Sequence, residues 1–129
     1  ARASARLRAL PATVCRIRDG GLEKGDAIAT ARLAAVMAAK RTSDLVPLCH
    51  PLPLDAVACE IGFEEEAVVV ETIVRATART GVEMEALVAA AAAALAIYDM
   101  AKSLDPGMTV ERIRLEEKTG GSRGPYRRA

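Results

Sequence analysis

At 129 residues the chain has the length of one domain, able to bury a core without disulfides or a structural metal. A formal net charge of +1 and an aromatic content of 2% argue against a nucleic-acid module, which needs a cationic surface or aromatic stacking platforms. Hydrophobic residues make up 51% of the chain, with alanine prominent and only two Tyr and one Phe, so the core must rely on close backbone approach.

Residues 1–13 are dotted with arginine and show no decisive pattern. Residues 13–18 (Thr-Val-Cys-Arg-Ile-Arg) alternate sufficiently to predict a strand closed by Asp19-Gly20-Gly21. Asp26 reads as an N-cap after Lys24-Gly25, and Ile28, Leu33, Val36 and Met37 recur at helical spacing up to Lys40. Three prolines, Pro47, Pro51 and Pro53, make residues 42–54 an irregular loop. Residues 56–63 and 67–76, joined by Glu64-Glu65-Glu66, predict a β-hairpin. Thr80-Gly81-Val82-Glu83 has the form of a capping box and opens a helix running to about Lys102. Residues 108–115 alternate as a last strand, and a tail rich in Gly and Arg, 119–129, is expected to be mobile without a ligand.

The resulting order, βαββαβ, is the ferredoxin-like α+β arrangement: one domain over residues 1–129, two helices on one face of an antiparallel sheet. Val68, Val69 and Val70 leave little room for a solvated second face, so an oligomer is expected. Cys15, Cys49 and Cys59 cannot all pair within one chain and form no C-x-x-C, which points to reduced thiols and a cytoplasmic setting. The apolar run 86–98 is read as too short and too alanine-rich to span a membrane.

Chemistry is concentrated at four places. Lys24-Gly25-Asp26 stands at a helix mouth, where backbone N–H groups attract anions and a lysine could act as base or nucleophile. His50, the one histidine, lies between prolines in Pro47-Leu48-Cys49-His50-Pro51. Asp99 and Lys102, three apart, share a face at the end of the long helix, whose first turn carries Glu83 and Glu85. Lys118-Thr119-Gly120-Gly121-Ser122-Arg123-Gly124 combines glycines and cations suited to phosphates. Taken singly, each also has a structural explanation: a cap, a solvated loop, a surface ion pair, a frayed end.

Together these runs are more specific. Lys24-Gly25-Asp26 with Ala29-Thr30-Ala31-Arg32, then Ala39-Lys40-Arg41-Thr42, Leu48-Cys49-His50-Pro51-Leu52, Thr80-Gly81-Val82-Glu83-Met84-Glu85-Ala86-Leu87 and Ile97-Tyr98-Asp99-Met100 with Lys102 resemble the cyclic pyranopterin monophosphate synthase family of molybdenum cofactor biosynthesis. The likeness runs in order from about residue 22 to residue 124. It implies a hexamer, a trimer of dimers with sites at subunit interfaces, and an N-terminal segment ahead of Ala1. It also implies a lyase that converts (8S)-3′,8-cyclo-7,8-dihydroguanosine 5′-triphosphate into cyclic pyranopterin monophosphate and diphosphate.

Carried over by position, the resemblance implies Asp99, Lys102, Lys24 and His50 as catalytic. It implies Leu48, Cys49, His50, Met84 and Glu85 as substrate-binding, with Glu83 and Lys40 near the pocket. The small-molecule substrate is the sole partner besides further copies of the chain, with neither nucleic acid nor membrane. No resident cofactor is implied; Mg²⁺ accompanying the triphosphate is left open, since no dedicated carboxylate cage is evident. The alternative is a non-catalytic ferredoxin-like module that binds a nucleotide or regulates a partner.

Overall fold

The computed structural model describes residues 1–129, in the order β1 (Arg2–Arg8), α1 (Pro11–Arg18), α2 (Ala27–Lys40), α3 (Thr42–Leu45), β2 (Ala56–Glu64), β3 (Ala67–Arg75), α4 (Glu83–Ala101), β4 (Thr109–Lys118) and β5 (Tyr126–Arg127). The sheet order is β2-β3-β1-β4-β5, every pairing antiparallel. Without β5 this is the ferredoxin-like arrangement, with α2 and α4 against the sheet.

The expected βαββαβ order holds, but its first strand lies elsewhere. Arg2–Arg8 is the true β1, with Ala3, Ala5 and Leu7 buried and Arg2, Ser4, Arg6 and Arg8 on the opposite face. The 13–18 segment predicted as a strand is instead α1. Pro11 starts it with the φ a helix needs, Thr13, Val14 and Ile17 turn inward together, and Cys15 stays exposed. A second correction concerns α4: its N-cap is Val82, with no side-chain cap hydrogen bond, so Thr80 and Glu83 form no capping box.

Alanine sets the helix packing. On α2 the buried positions are Ala27, Ala31, Ala35 and Ala39, one per turn. Leu33 and Met37, counted in the helical pattern, point outward and are exposed. On α4 the buried surface is Ala86, Ala89, Ala90, Ala93, Ala94, Ile97 and Ala101. Methyl groups facing methyl groups let the two backbones approach closely. By length and composition α4 could cross a bilayer. Its buried side, however, packs on α2 and on β1, β3 and β4, which makes it the central core helix.

The far face of the sheet is charged rather than apolar. Val68 and Val70 point toward the helices and are fully buried, leaving Val69 and Ile73 half-buried on the open side. That side carries a ladder in which Arg2 pairs with Glu71 and Glu117, and Arg6 with Glu64 and Glu111. Ser4 donates to Glu116 at 2.5 Å, and Arg114 reaches the same carboxylate at 2.6 Å. The valine run therefore gives no reason to cover this face, contrary to the sequence expectation.

The tail pairs with the sheet edge. β5 pairs with the end of β4, and Arg128 donates its backbone N–H to the Glu116 carbonyl and its Nε–H to the Leu115 carbonyl, both at 2.8 Å.

The alanine contact predicts a specific sensitivity. Ala35→Leu, at a fully buried position, should destabilise the fold by about 1–3 kcal/mol through overpacking, measured by denaturant unfolding. An unchanged midpoint would mean that this site has room the packing denies.

Candidate active site

The site residues fall into two groups at opposite ends of α4. At its C-terminal end, Asp99 and Lys102 project from one helical face, and Lys102 Nζ lies 2.7 Å from Asp99 Oδ1. Lys24 comes from the turn before α2. Asp26 caps that helix by accepting from the Ala29 N–H at 3.0 Å, which fixes the turn two residues upstream. Lys24 Nζ donates to the Asp99 carbonyl at 3.2 Å and lies 3.5 Å from Asp99 Oδ2. A carboxylate thus sits between two ammonium groups.

All three side chains are about half exposed, so the pairs by themselves add little stability. They do set protonation. The hydrogen bond and charge of Lys102, then the charge of Lys24, hold the Asp99 carboxyl below its ordinary value. The same hydrogen bond raises Lys102. In the unliganded chain Asp99 is therefore an anion and Lys102 a cation.

At the N-terminal end of α4 lies a cleft of about 460 Å³. The proline-rich loop brings Leu48, Cys49 and His50 to it, and the first turn of α4 brings Glu83, Met84 and Glu85. Opposite them stand Lys118 from β4 and Ser122 and Arg123 from the following loop. Glu85 is 5% exposed, and burial pushes its carboxyl up. Burial, reinforced by Glu85 and Glu83, raises the Cys49 thiol as well, which favours its neutral form. Lys118 Nζ is 3.5 Å from Glu83 Oε1, while Glu83 Oε2 is buried with no hydrogen-bond partner. A buried carboxylate oxygen without a donor is costly unless something else supplies one.

The structure thus brings together Lys24, Asp99 and Lys102, and separately Leu48, Cys49, His50, Glu83, Met84 and Glu85. Fourteen residues of helix separate Glu85 from Asp99, about 21 Å at 1.5 Å per residue. Lys40 joins neither group: it is exposed at the end of α2 remote from Lys24 and does not line the cleft. Lys118 was legible in the sequence only as part of a glycine-rich cationic tail, because nothing local says that β4 ends at this cleft. No three His, Cys, Asp or Glu side chains converge closely enough to hold a metal ion.

Comparison with known proteins bears on the whole chain. A family model described as the MoaC family matches residues 1–121. A protein of Herpetosiphon aurantiacus named cyclic pyranopterin monophosphate synthase is 55% identical over 128 residues, covering 98% of this chain and 78% of its own length. A Nostoc protein of the same name is 53% identical over 96% of this chain and 75% of its own, and one of Heliobacterium modesticaldum is 56% identical over 88% and 73%.

The electrostatics of the Asp99 cluster can be checked directly. In Lys102→Met the Asp99 carboxyl should titrate closer to its ordinary value, read by carbon NMR of the side chain. The sign follows from linkage: a depressed native value stabilises the fold above the ordinary carboxylate range, and this is lost as pH falls through the native value. An Asp99 titration indifferent to Lys102 would contradict the assignment.

Proposed function

The chain belongs to the MoaC family, and on that premise we propose that it catalyses the cyclic pyranopterin monophosphate synthase reaction of molybdenum cofactor biosynthesis. The substrate is the cyclised GTP derivative, the products cyclic pyranopterin monophosphate and diphosphate. The observation that carries this reading is the cleft of nucleotide size at the start of α4, whose lining combines the carboxylates of Glu83 and Glu85 with the cations of Lys118 and Arg123.

The chemistry asks for two kinds of group. Rearranging a guanine-derived ring into a pterin moves protons on and off nitrogen, carbon and oxygen, which calls for acids and bases of differing strength. A buried, upward-shifted Glu85 and an anionic Asp99 supply that difference. Glu83, in the cleft wall, is a carboxylate acceptor for the N–H donors along a guanine edge. Forming the cyclic phosphate requires a sugar-derived hydroxyl to bond to the α-phosphorus as the bond to the diphosphate oxygen breaks. The hydroxyl proton goes to a base, and Lys118, Arg123 and the Lys24–Lys102 pair neutralise the charge that develops on the departing diphosphate. His50, exposed and without a hydrogen bond in the chain, orients the substrate. Mg²⁺ entering with the triphosphate would be held by the phosphates themselves.

One chain cannot join its two groups, but two chains can. Met84, Val88, Ala91, Leu95, Asp99 and Lys102 lie along the outer side of α4 and share one helical stripe. Leu95 is 59% exposed, and Leu33 and Met37 of α2 extend the apolar surface. A second copy packing its α4 antiparallel across this stripe, related by a two-fold axis near Ala91, would set its Lys24, Asp99 and Lys102 beside the first copy's cleft, and the reverse. The small side chain at the axis permits close helix approach. This dimer is the unit repeated in the hexamer that the family resemblance implies. The cytoplasm, where three unpaired thiols stay reduced, is the fitting compartment.

Supplied with the cyclised triphosphate, the protein should release diphosphate, and Lys24→Ala and Lys102→Ala should each lower kcat by about 10²–10³-fold, the range for loss of a group that stabilises developing charge. Binding without turnover by the unaltered protein would instead favour the nucleotide-binding module.

A further inference from the structure

One wall of the cleft is formed by the connection between β4 and β5. This connection begins at Lys118 and returns at Tyr126, and its tip carries Ser122 and Arg123 to the cleft mouth. At the tip, Gly121 lies close against Gly81 of the body. Gly121 has φ +82°, and a Cβ there would stand 3.3 Å from the Gly81 backbone nitrogen and 3.6 Å from its Cα. A Cβ on Gly81 would collide with the Glu83 carboxylate. Gly121 is the residue this seat requires, since its positive φ and the backbone of Gly81 behind it both exclude a side chain. Beyond the tip, the return strand is only two residues long and exposed, on the outer edge of the sheet. Besides its pairing with Glu117 and Lys118, it is held by Arg128, whose backbone and Nε donate to the Glu116 and Leu115 carbonyls and whose guanidinium lies 3.9 Å from the Glu116 carboxylate. Arg123 itself has no ion pair or hydrogen bond within the chain.

We propose that the β4–β5 hairpin is a strap over the phosphate end of the cleft, and that Arg128, remote from the chemistry, is the positioning residue that latches it. A two-residue edge strand opens at low cost, which admits a bulky triphosphate. Closing seats Gly121 on Gly81 and presents the unpaired Arg123 guanidinium to the phosphates, whose binding in turn stabilises the closed strap. The strap therefore acts on substrate affinity more than on the bond-making step. This rests on the diphosphate-releasing reaction proposed above.

The test uses the full chain. Arg128→Ala should raise KM for the cyclised triphosphate about tenfold, the effect of losing one charge-assisted hydrogen bond, with kcat within about twofold and Tm unchanged. Gly121→Ala should do the same by unseating the tip. Arg127→Ala, which removes an exposed side chain with no partner in the chain, should leave KM unaltered. Inorganic diphosphate should slow amide hydrogen exchange at residues 119–128 in the unaltered protein, and less so in Arg128→Ala. Turnover by the unaltered protein with KM unchanged in both variants, or exchange indifferent to diphosphate, overturns the strap. Absence of turnover by the unaltered protein overturns the reaction on which it rests.

Discussion

The contact between the alanine faces of α2 and α4 is the constraint on which the rest depends. Ala31 and Ala35 on one helix and Ala86, Ala89, Ala90, Ala93 and Ala94 on the other are all fully buried. Because these side chains are small, the helices lie close together and α4 can stay straight for 19 residues across the sheet. The antiparallel setting of the pair places Lys24, just ahead of α2, beside Asp99 at the end of α4. Thr72 adds a fixed point by donating to the Ala86 carbonyl at 2.7 Å, which anchors the start of α4 on β3. With α4 held at both ends, its first and last turns become rigid platforms for chemistry.

That rigidity also explains why the chain by itself has no complete site. A straight helix keeps the Glu83–Glu85 turn and the Asp99–Lys102 turn about 21 Å apart, farther than the side chains can bridge. Each half is electrostatically unfinished. The cleft holds a carboxylate oxygen without a donor, and the other end holds two ammonium groups around one carboxylate, a net positive cluster. A triphosphate bearing a guanine-derived ring offers N–H donors to the carboxylates that line the cleft and negative charge to the lysine cluster. Assembly across the outer stripe of α4 brings the complementary halves into reach of one substrate.

Much of this was legible in the sequence, unevenly. The β2–β3 hairpin, the Asp26 cap and the alanine character of α4 were read correctly, because turn composition, a single capping side chain and a six-residue alanine run are local signals. The first strand was missed since its inward residues are Ala3, Ala5 and Leu7, weak strand formers, between arginines whose role emerges only when β3 and β4 supply glutamates. The six residues of 13–18 alternate well enough for a strand, and only Pro11 at the first helical position signals otherwise. Val68 and Val70 were read as a reason to cover the second sheet face, but period-two geometry turns both inward. The site residues were named largely through family likeness. That they divide between two ends of one helix could not be read until its length and direction were known, and nothing local distinguished Lys40 from Lys118.

The most direct test of a site divided between chains is subunit complementation. Lys102→Ala damages the lysine end and Glu83→Gln the cleft end, so each variant alone should release little diphosphate. After the two are mixed and allowed to exchange subunits, half the dimers are mixed, and each has one site built from two intact halves. Diphosphate release should then recover to about a quarter of that of the unaltered protein. Activity that stays at the level of the separate variants after verified exchange would contradict the shared site.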